Sequence, residues 1–237
     1  MRPRIALLVC LALVPLLAGC GGLDAGGAGP VSSVNPGVYP PSSTPFGKTY
    51  GEWAAVWWQW AMALPAAHHP VFDTTGADAA LAQSGPVWYL AATGGGGVYE
   101  RTCTAPAGKG VLVPIMPWIF AIPMDGTTDG EILRGARTAV DHVTEVEADL
   151  DGVVMTGLWS YRAESPYFGY DAPPGDQCWV PDYGGTHRAV ADGYWLVLKP
   201  LAPGPHTLHF RAKCVFPAVY PNVSVFEGEV TYHLTVE

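Results

Sequence analysis

The feature that most constrains the fold is a series of short apolar segments, separated by turns, between Val153 and the C-terminus. In residues 230–236 (VTYHLTV) apolar and polar side chains alternate, which is the two-residue period of a β-strand with one buried face. Residues 153–161, 194–198 and 207–211 have a similar β-branched and aromatic character. We therefore predict that this part of the chain is all-β.

Three further strands are predicted in the first half of the chain, at Val87–Ala92, Tyr99–Thr104 and Val111–Ile115. A proline cannot donate the hydrogen bond that the interior of a sheet requires. Pro114 and Pro117 therefore place the third of these strands at a sheet edge or at a bulge.

Residues 50–64 (YGEWAAVWWQWAMAL) have the periodicity of a helix that Pro65 would end. Trp53, Trp57 and Trp60 fall on one face, which predicts a helix docked on a sheet. Trp58 falls outside that face. It is therefore the tryptophan that we expect to meet a ligand, and the alternative is that the whole cluster serves the core.

A second helix is predicted at about residues 130–151. Asp129 is expected to cap its start and Gly152 its end. Its apolar stripe, spaced alternately by four and three residues, consists of Ile132, Ala136, Ala139, Val143, Val146 and Leu150.

These patterns predict a mainly β fold, a β-sandwich of Ig-like or jelly-roll-like type, with the two α-helices packed on the sheets. The composition is 49% hydrophobic and 14% charged, whereas a typical domain has about 25% charged residues. Such a composition indicates a globular body and not a disordered chain. Residues 49–237 are predicted to be a single domain, and a sub-boundary near residues 125–130 is the alternative.

The N-terminus has the organisation of an export signal. Arg2 and Arg4 precede an apolar run over residues 5–17, which is shorter than the roughly 20 residues of a membrane-spanning helix. Residues 1–19 are therefore predicted to be a signal peptide. Residues 20–48 are rich in glycine, proline and serine, which predicts a tether.

The segment Leu17-Ala18-Gly19-Cys20 resembles the lipobox of bacterial lipoproteins. The resemblance implies that Cys20 carries acyl chains such as palmitate, which gain about 0.8 kcal/mol for each methylene buried in a membrane. It also implies a location on the cell membrane or outer membrane, facing the periplasm or the exterior. An ordinary signal peptide with a chance cysteine is the alternative.

Two resemblances concern the body of the chain. The blocks WAAVWWQWAMALP, HPVFDTTG, QSGPVWYLA and RTCTAPAGKGVLVP resemble a family of exported bacterial proteins with no established activity. The segment DGYWLVLKPLAPGPHTLHF, with the closing EVTYHLTV, is similar to the terminal hairpins of Ig-like bacterial β-sandwich domains. These resemblances imply a fold, and they supply no catalytic residue.

The first resemblance also bears on the cysteines. The family has a cysteine shortly before the position of Gln83, where this chain has Ala79 and Ala80, which implies that Cys103 has lost its usual partner. We therefore expect a disulfide between Cys178 and Cys214, because export favours disulfides. The alternatives pair Cys103 with either of these two cysteines.

Residues 165–188 form a long segment in which acidic and aromatic side chains are mixed. Carboxylates among aromatic rings are typical of sugar-binding and glycosidase clefts, although a solvated β loop has the same composition. With Trp58 added, the candidate ligand-surface residues are Tyr170, Asp171, Trp179, Asp182 and Tyr183.

No catalytic, metal-binding or cofactor-binding residue is predicted, because nucleophile elbows, H-E-x-x-H motifs, Walker loops and paired metal-ligand spacings are missing from the sequence. The chain has 12 basic and 21 acidic residues, a net charge of −9. That balance argues against nucleic acid as a partner.

Three functions are compatible with these observations. The main prediction is a non-enzymatic binding or interaction module at the cell envelope, which takes a glycan, peptide or protein partner. The second is a carbohydrate-active hydrolase that uses a carboxylate pair within residues 165–188. The third is a metal or redox protein that uses the histidines and a spare thiol.

Overall fold

The computed structural model describes residue 35 and residues 37–174, 184–217 and 225–237. Several residues that carry predictions lie outside this part of the chain, namely Cys20, Cys178, Trp179, Asp182 and Tyr183. Among the described residues, no helix is both long enough and apolar enough to cross a membrane.

The described residues form a mainly β structure with two α-helices, as predicted. The helices are α1 (Tyr50–Met62) and α2 (Asp129–Asp141). The strands are β1 (Val87–Tyr89), β2 (Gly97–Ala105), β3 (Gly110–Ile122), β4 (Val143–Leu150), β5 (Val153–Val154), β6 (Phe168–Ala172), β7 (Gly185–Leu198), β8 (Gly204–Val215) and β9 (Val225–Val236).

The strands form two sheets. One has the order β1-β3-β7-β6 and the other the order β2-β9-β8-β4-β5. The pairs β1–β3 and β2–β9 are parallel, and all other neighbours in these sheets are antiparallel. Buried side chains from both sheets and both helices belong to one hydrophobic core.

Helix α1 begins and ends for local reasons. The Thr49 side chain accepts from the backbone N–H of Glu52, and the Glu52 carboxylate accepts from the backbone N–H of Thr49, which is a reciprocal capping box. The helix ends at Met62, three residues before Pro65. It is buried on more than one face, because Trp58 is covered as well as the predicted stripe.

The tryptophans of α1 anchor it through their indole N–H groups. Trp53 Nε1 donates to the carbonyl of Pro45 at 2.8 Å, and Trp57 Nε1 donates to that of Leu90 at 2.7 Å. Each ring therefore buries a large apolar surface while its polar atom stays hydrogen-bonded.

The second helix is shorter than predicted, and its C-terminal half is a strand. Helix α2 ends at Asp141, and residues 143–150 form β4, which pairs with β8. The pairing register shifts between Val143 and Glu145, so Val143 can face the core together with the even-numbered Val146. Because of that shift, the apolar residues of β4 do not follow a two-residue period, and their spacing resembles that of a helical stripe. The helix cap is also displaced, because Thr128 caps α2 instead of Asp129.

The sequence contains a hairpin turn directly after β4, at Asp151-Gly152, although we predicted a helix there. Asp151 and Gly152 both have positive φ, of 54° and 76°, and Leu150 pairs with Val153 across them. An Asp-Gly pair in this conformation is the two-residue turn of a β-hairpin. The strand predicted at 153–161 is wrong beyond Val154, since residues 158–161 form a short 3-10 helix.

Strand β3 is longer than predicted and lies inside its sheet. It runs between β1 and β7, with a register shift between Pro114 and Met116. The predicted bulge is therefore present, and although β3 as a whole lies between two strands, its two prolines stand where only β7 is paired, as at a sheet edge. Both prolines are tolerated because β1 pairs only with residues 110–112, which leaves the rest of β3 with a partner on one side.

Strands β7 and β8 are consecutive but belong to different sheets, so the segment 192–210 is a crossover and not a hairpin. The following pair, β8 and β9, is the antiparallel hairpin that the resemblance implied.

The described cysteines are free thiols, so the predicted Cys178–Cys214 disulfide is not found. Cys214 is buried, and its sulfur donates to the carbonyl of Ala139 at 3.4 Å. Burial raises the pKa of Cys103 to about 11 and that of Cys214 to about 12. Both groups are therefore protonated and poorly nucleophilic at neutral pH.

Candidate functional site

A cavity of about 710 Å³ opens between α1 and the two sheets. Its volume falls within the 300–1,000 Å³ that is usual for small-molecule sites. Most of the lining is apolar, and its aromatic members are Trp57, Trp58, Trp118, Tyr170, Phe210 and Phe226. They come from α1, β3, β6, β8 and β9, so the site exists only when both sheets are assembled.

The two adjacent tryptophans of α1 have different roles at this cavity. Trp57 is fixed by the hydrogen bond from its Nε1 to the carbonyl of Leu90 and by an edge-to-face contact with Trp195, with ring centroids 5.6 Å apart. Trp58 packs edge-to-face against Trp57, with ring centroids 4.9 Å apart. It lines the cavity while only 6% of its surface is exposed, so its ring belongs to the packed wall of a concave site and not to an open aromatic platform.

Trp118 and Phe226 form another part of the wall. Their rings are in edge-to-face contact, with centroids 5.6 Å apart, and Trp118 makes a similar contact with Phe216. The Nε1 atom of Trp118 is buried and has no hydrogen-bond partner. A buried donor without a partner is costly, and here it lies on a side chain that lines the cavity.

Asp125 provides a carboxylate at the cavity wall, in the turn between β3 and α2. Its Oδ2 atom accepts the backbone N–H of Ala121 at 2.8 Å. Burial raises the pKa of Asp125 to about 6. The group is therefore mostly ionised at neutral pH, in surroundings that disfavour its charge.

Glu227 is the other acidic residue of the lining, and it is already neutralised. Its carboxylate accepts from Arg211 Nε at 2.9 Å and from Arg211 Nη2 at 2.6 Å, and it lies 3.9 Å from Lys213 Nζ. Among the described residues, no Lys, Arg or His lines the cavity. The charge that the cavity offers to a ligand is therefore negative and comes from Asp125.

Arg101 fixes the wall between the cavity and β2, although no pattern in the sequence marks it as a core residue. It is 1% exposed, and its guanidinium donates to the carbonyls of Val71, Asp73, Ala91 and Ala92. It also donates to the Tyr232 hydroxyl at 2.9 Å. Val71 and Ala92 are themselves lining residues.

His69 supports the same wall as a neutral side chain. Its Nδ1 atom accepts the backbone N–H of Val71 at 3.2 Å, so the proton resides on Nε2, which donates to the carbonyl of Ala61 at 2.8 Å. Burial lowers the pKa of His69 to about 4.

The loop Gly94–Gly97 completes the rim of the cavity, and its backbone lies very close to neighbouring residues. Gly96 has φ of +80°, and a Cβ there would lie 2.7 Å from the carbonyl oxygen of Glu227. A Cβ on Gly228 would lie 2.5 Å from Thr93 Oγ1. Glycine at both positions lets this loop pack directly on β9.

Of the candidate ligand-surface residues that the structure describes, two lie at the same cavity and the third lies away from it. Trp58 and Tyr170 line the same cavity. Asp171 is exposed on the opposite face of β6, where it accepts from Thr186 Oγ1 at 2.5 Å. The separation follows from the alternation of side chains along a strand. Trp118, Asp125 and Arg101 are the residues that sequence reasoning missed.

Two histidines of the five-stranded sheet contact carboxylates on its outer face. His209 lies between Asp149 and Glu229, at 3.1 and 3.2 Å, and His233 Nε2 lies 2.8 Å from Glu100. In the described part of the chain, no cluster of three or more His, Cys, Asp or Glu residues is arranged to hold a metal ion.

The cavity, its single uncompensated carboxylate and its rigid wall are thus the features on which a functional argument can rest. Similarity gives no independent guide. Comparisons with protein-family models, with curated proteins and with solved structures found no match to this chain.

Proposed function

We propose that this protein is a non-enzymatic binding module that takes a small, largely apolar ligand in the cavity between α1 and the two sheets. The observation that carries the proposal is the concave cavity of about 710 Å³ with its aromatic lining. Burial of apolar ligand surface would supply most of the affinity, at about 25 cal/mol per Å² before the costs of association.

The walls support a preformed site. Trp57 is held by Leu90, and the adjoining Ala91 and Ala92 are held by the buried Arg101. Side chains that are already fixed lose little conformational entropy when a ligand binds, which favours affinity. The unpartnered indole N–H of Trp118 offers a donor for one oxygen atom of a ligand.

This proposal sharpens the sequence prediction of an interaction module, because it moves the site from the surface of residues 165–188 to the cavity between α1 and the two sheets. No specific contact favours the hydrolase hypothesis. Asp171, the described member of the predicted carboxylate pair, faces away from the cavity, and Asp182 lies outside the described residues.

A neutral fluorescent probe tests the cavity. N-phenyl-1-naphthylamine should bind the purified full chain with one-to-one stoichiometry and should quench tryptophan emission by energy transfer. Ile119→Trp enlarges a lining residue, so it is expected to weaken binding about tenfold or more by filling the cavity. Titration calorimetry with mass spectrometry of the recovered probe would measure affinity and show whether the probe is unchanged.

Val98→Trp is the matched control, because Val98 is 74% exposed on β2 and is not part of the lining. It adds the same indole at the surface and should leave binding as it is. Equal affinity in both variants, or no binding by the wild-type chain, would reject the cavity as the site.

We further propose that the module is held at the cell envelope by acyl chains on Cys20. The support is the leader over residues 1–19 and the lipobox-like Leu17-Ala18-Gly19-Cys20. Loss of palmitate labelling and release from membranes in Cys20→Ser would support the anchor, whereas unchanged labelling would reject it.

We also propose that the two sheets pack face to face as a β-sandwich. The shared hydrophobic core and the crossover from β7 to β8 support this arrangement. The parallel pairs β1–β3 and β2–β9 depart from an Ig-like topology. A crystal structure with sheets about 10 Å apart would support the proposal, and splayed sheets would reject it.

A further inference from the structure

We propose that the ligand of the cavity is an organic cation, an apolar body that carries an amine or quaternary ammonium group, and that Asp125 is its counter-ion. This inference rests on the proposed binding function and specifies the chemical class of the ligand. It follows from the charges of the lining and from the nature of its apolar surface.

The charges of the lining residues argue against an anionic ligand. The two charged side chains among the described lining residues are Asp125 and Glu227, and both are acidic. An anionic ligand such as a fatty acid would place its carboxylate among aromatic rings with no cation to neutralise it, which is strongly unfavourable in a partly dry site. A cationic ligand, in contrast, would find a carboxylate of opposite charge in the lining.

The Asp125 carboxylate can accept further hydrogen bonds from a cationic ligand. A carboxylate can accept several hydrogen bonds, and the contact that the structure gives Asp125 is the N–H of Ala121 at 2.8 Å on Oδ2. Glu227, in contrast, already has Arg211 and Lys213 within ion-pair distance. The carboxylate that gains most from a bound cation is therefore Asp125.

The aromatic rings favour the same class of ligand. Trp58, Trp118 and Tyr170 line the cavity, and a cation close to an aromatic face is attracted by the ring quadrupole. Tryptophan provides the strongest attraction of this kind. Aromatic walls with one acidic group thus match a hydrophobic ammonium compound better than a neutral lipid of the same size.

Three probes of equal chain length test the inference by titration calorimetry, each below its micellar concentration. They are octyltrimethylammonium, 1-octanol and octyl sulfate, which carry positive, zero and negative charge on the same apolar body. The full wild-type chain should bind the cation about tenfold more tightly than 1-octanol, as one charge-assisted contact would give. Octyl sulfate should bind most weakly.

Asp125→Asn should remove the preference for the cation while it leaves the affinity for 1-octanol within about twofold. Glu100→Gln is the matched control, since it removes one negative charge from a side chain that is 74% exposed and paired with His233. It should keep the preference. Asp125→Glu retains the charge and should preserve at least part of it, which separates loss of charge from loss of shape.

The outcomes separate this inference from the proposed function. If 1-octanol or octyl sulfate binds the wild-type chain as tightly as the cation, the cationic class is rejected and the apolar cavity stands. If the preference survives in Asp125→Asn, the role of Asp125 is rejected. If none of the three probes binds, the proposed function falls together with the inference.

Discussion

The buried Arg101 and the half-buried Asp125 are two charged groups near the cavity, and they differ in how many of their hydrogen bonds the protein makes. The Arg101 guanidinium donates to four backbone carbonyls and one hydroxyl, with its side chain sealed in the core. The Asp125 carboxylate accepts one backbone N–H and otherwise faces the cavity. The same fold therefore contains one charged group whose hydrogen bonds are made by the protein and one that can still accept hydrogen bonds from a ligand.

The difference separates a structural role from a binding role. A buried charge with all its hydrogen bonds made contributes to a rigid wall, and nothing is left for a ligand to add. A buried charge with open capacity costs stability in the free protein. That cost is recovered when a ligand of opposite charge binds, which is the pattern expected of a functional group.

The largest expected effect comes from Arg101→Met. The substitution keeps an apolar side chain of similar reach but takes the Arg101 donor away from the carbonyls of Asp73 and Ala92. The carbonyls of Val71 and Ala91 lose one of their two donors, because Val71 also accepts from the Gly94 N–H and Ala91 from the Tyr232 hydroxyl. We expect the free energy of unfolding to fall by about 3–5 kcal/mol, measured by urea denaturation. Arg134→Met on the exposed face of α2 is the control and should change it by less than about 0.5 kcal/mol. Equal effects would mean that Arg101 is not a structural centre.

A smaller effect is expected from pH at His69, which belongs to the same saturated wall. Its folded pKa of about 4 lies below the usual 6.5, so the unfolded chain takes up the proton first as the pH falls. The contribution is fully present above pH 6.5 and is lost as the pH falls towards 4, by up to about 3 kcal/mol.

Urea denaturation across this range would measure the loss. His69→Gln should be less stable at pH 7 but should depend less on pH between 6.5 and 4. His233→Gln, which changes a half-exposed histidine, should keep the wild-type slope. A wild-type slope in His69→Gln would contradict the assignment of this loss to His69.

The smallest effect has the opposite sign and concerns Asp125. Its folded pKa of about 6 lies above the usual 3.8, so ionisation destabilises the fold above pH 6, and this penalty disappears below about pH 4. Asp125→Asn should therefore raise the free energy of unfolding at pH 8 by about 1–2 kcal/mol. The gain should vanish at pH 4, and a loss of stability at pH 8 would contradict the view of Asp125 as an unsatisfied charge.

Much of the fold follows from local patterns. The capping box at Thr49 and Glu52, the tryptophan spacing and the nearby Pro65 define α1 before any partner is considered. The alternation in residues 230–236 likewise predicts most of β9. Strictly local signals of this kind are reliable because they depend on the backbone of a few consecutive residues.

Residues 129–150 show where such patterns fail. The apolar spacing continues unbroken from Ile132 to Leu150, yet the chain changes from helix to strand after Asp141. Pairing of β4 with β8, and the register shift at Val143, decide the outcome. Asp151-Gly152 marks the hairpin in the sequence, but only in combination with the correct period does it identify β4 as a strand.

The sequence by itself determined a mainly β chain with two helices and an aromatic first helix, because these depend on periodicity and on capping residues close in the chain. Only the tertiary structure decided that Trp58 and Tyr170 line one cavity, that Arg101 is sealed in the core and that Asp125 lines that same cavity. These residues lie far apart in the chain, and their roles depend on which sheet each strand joins. Burial and charge balance are properties of the assembled neighbours, so no local pattern encodes them.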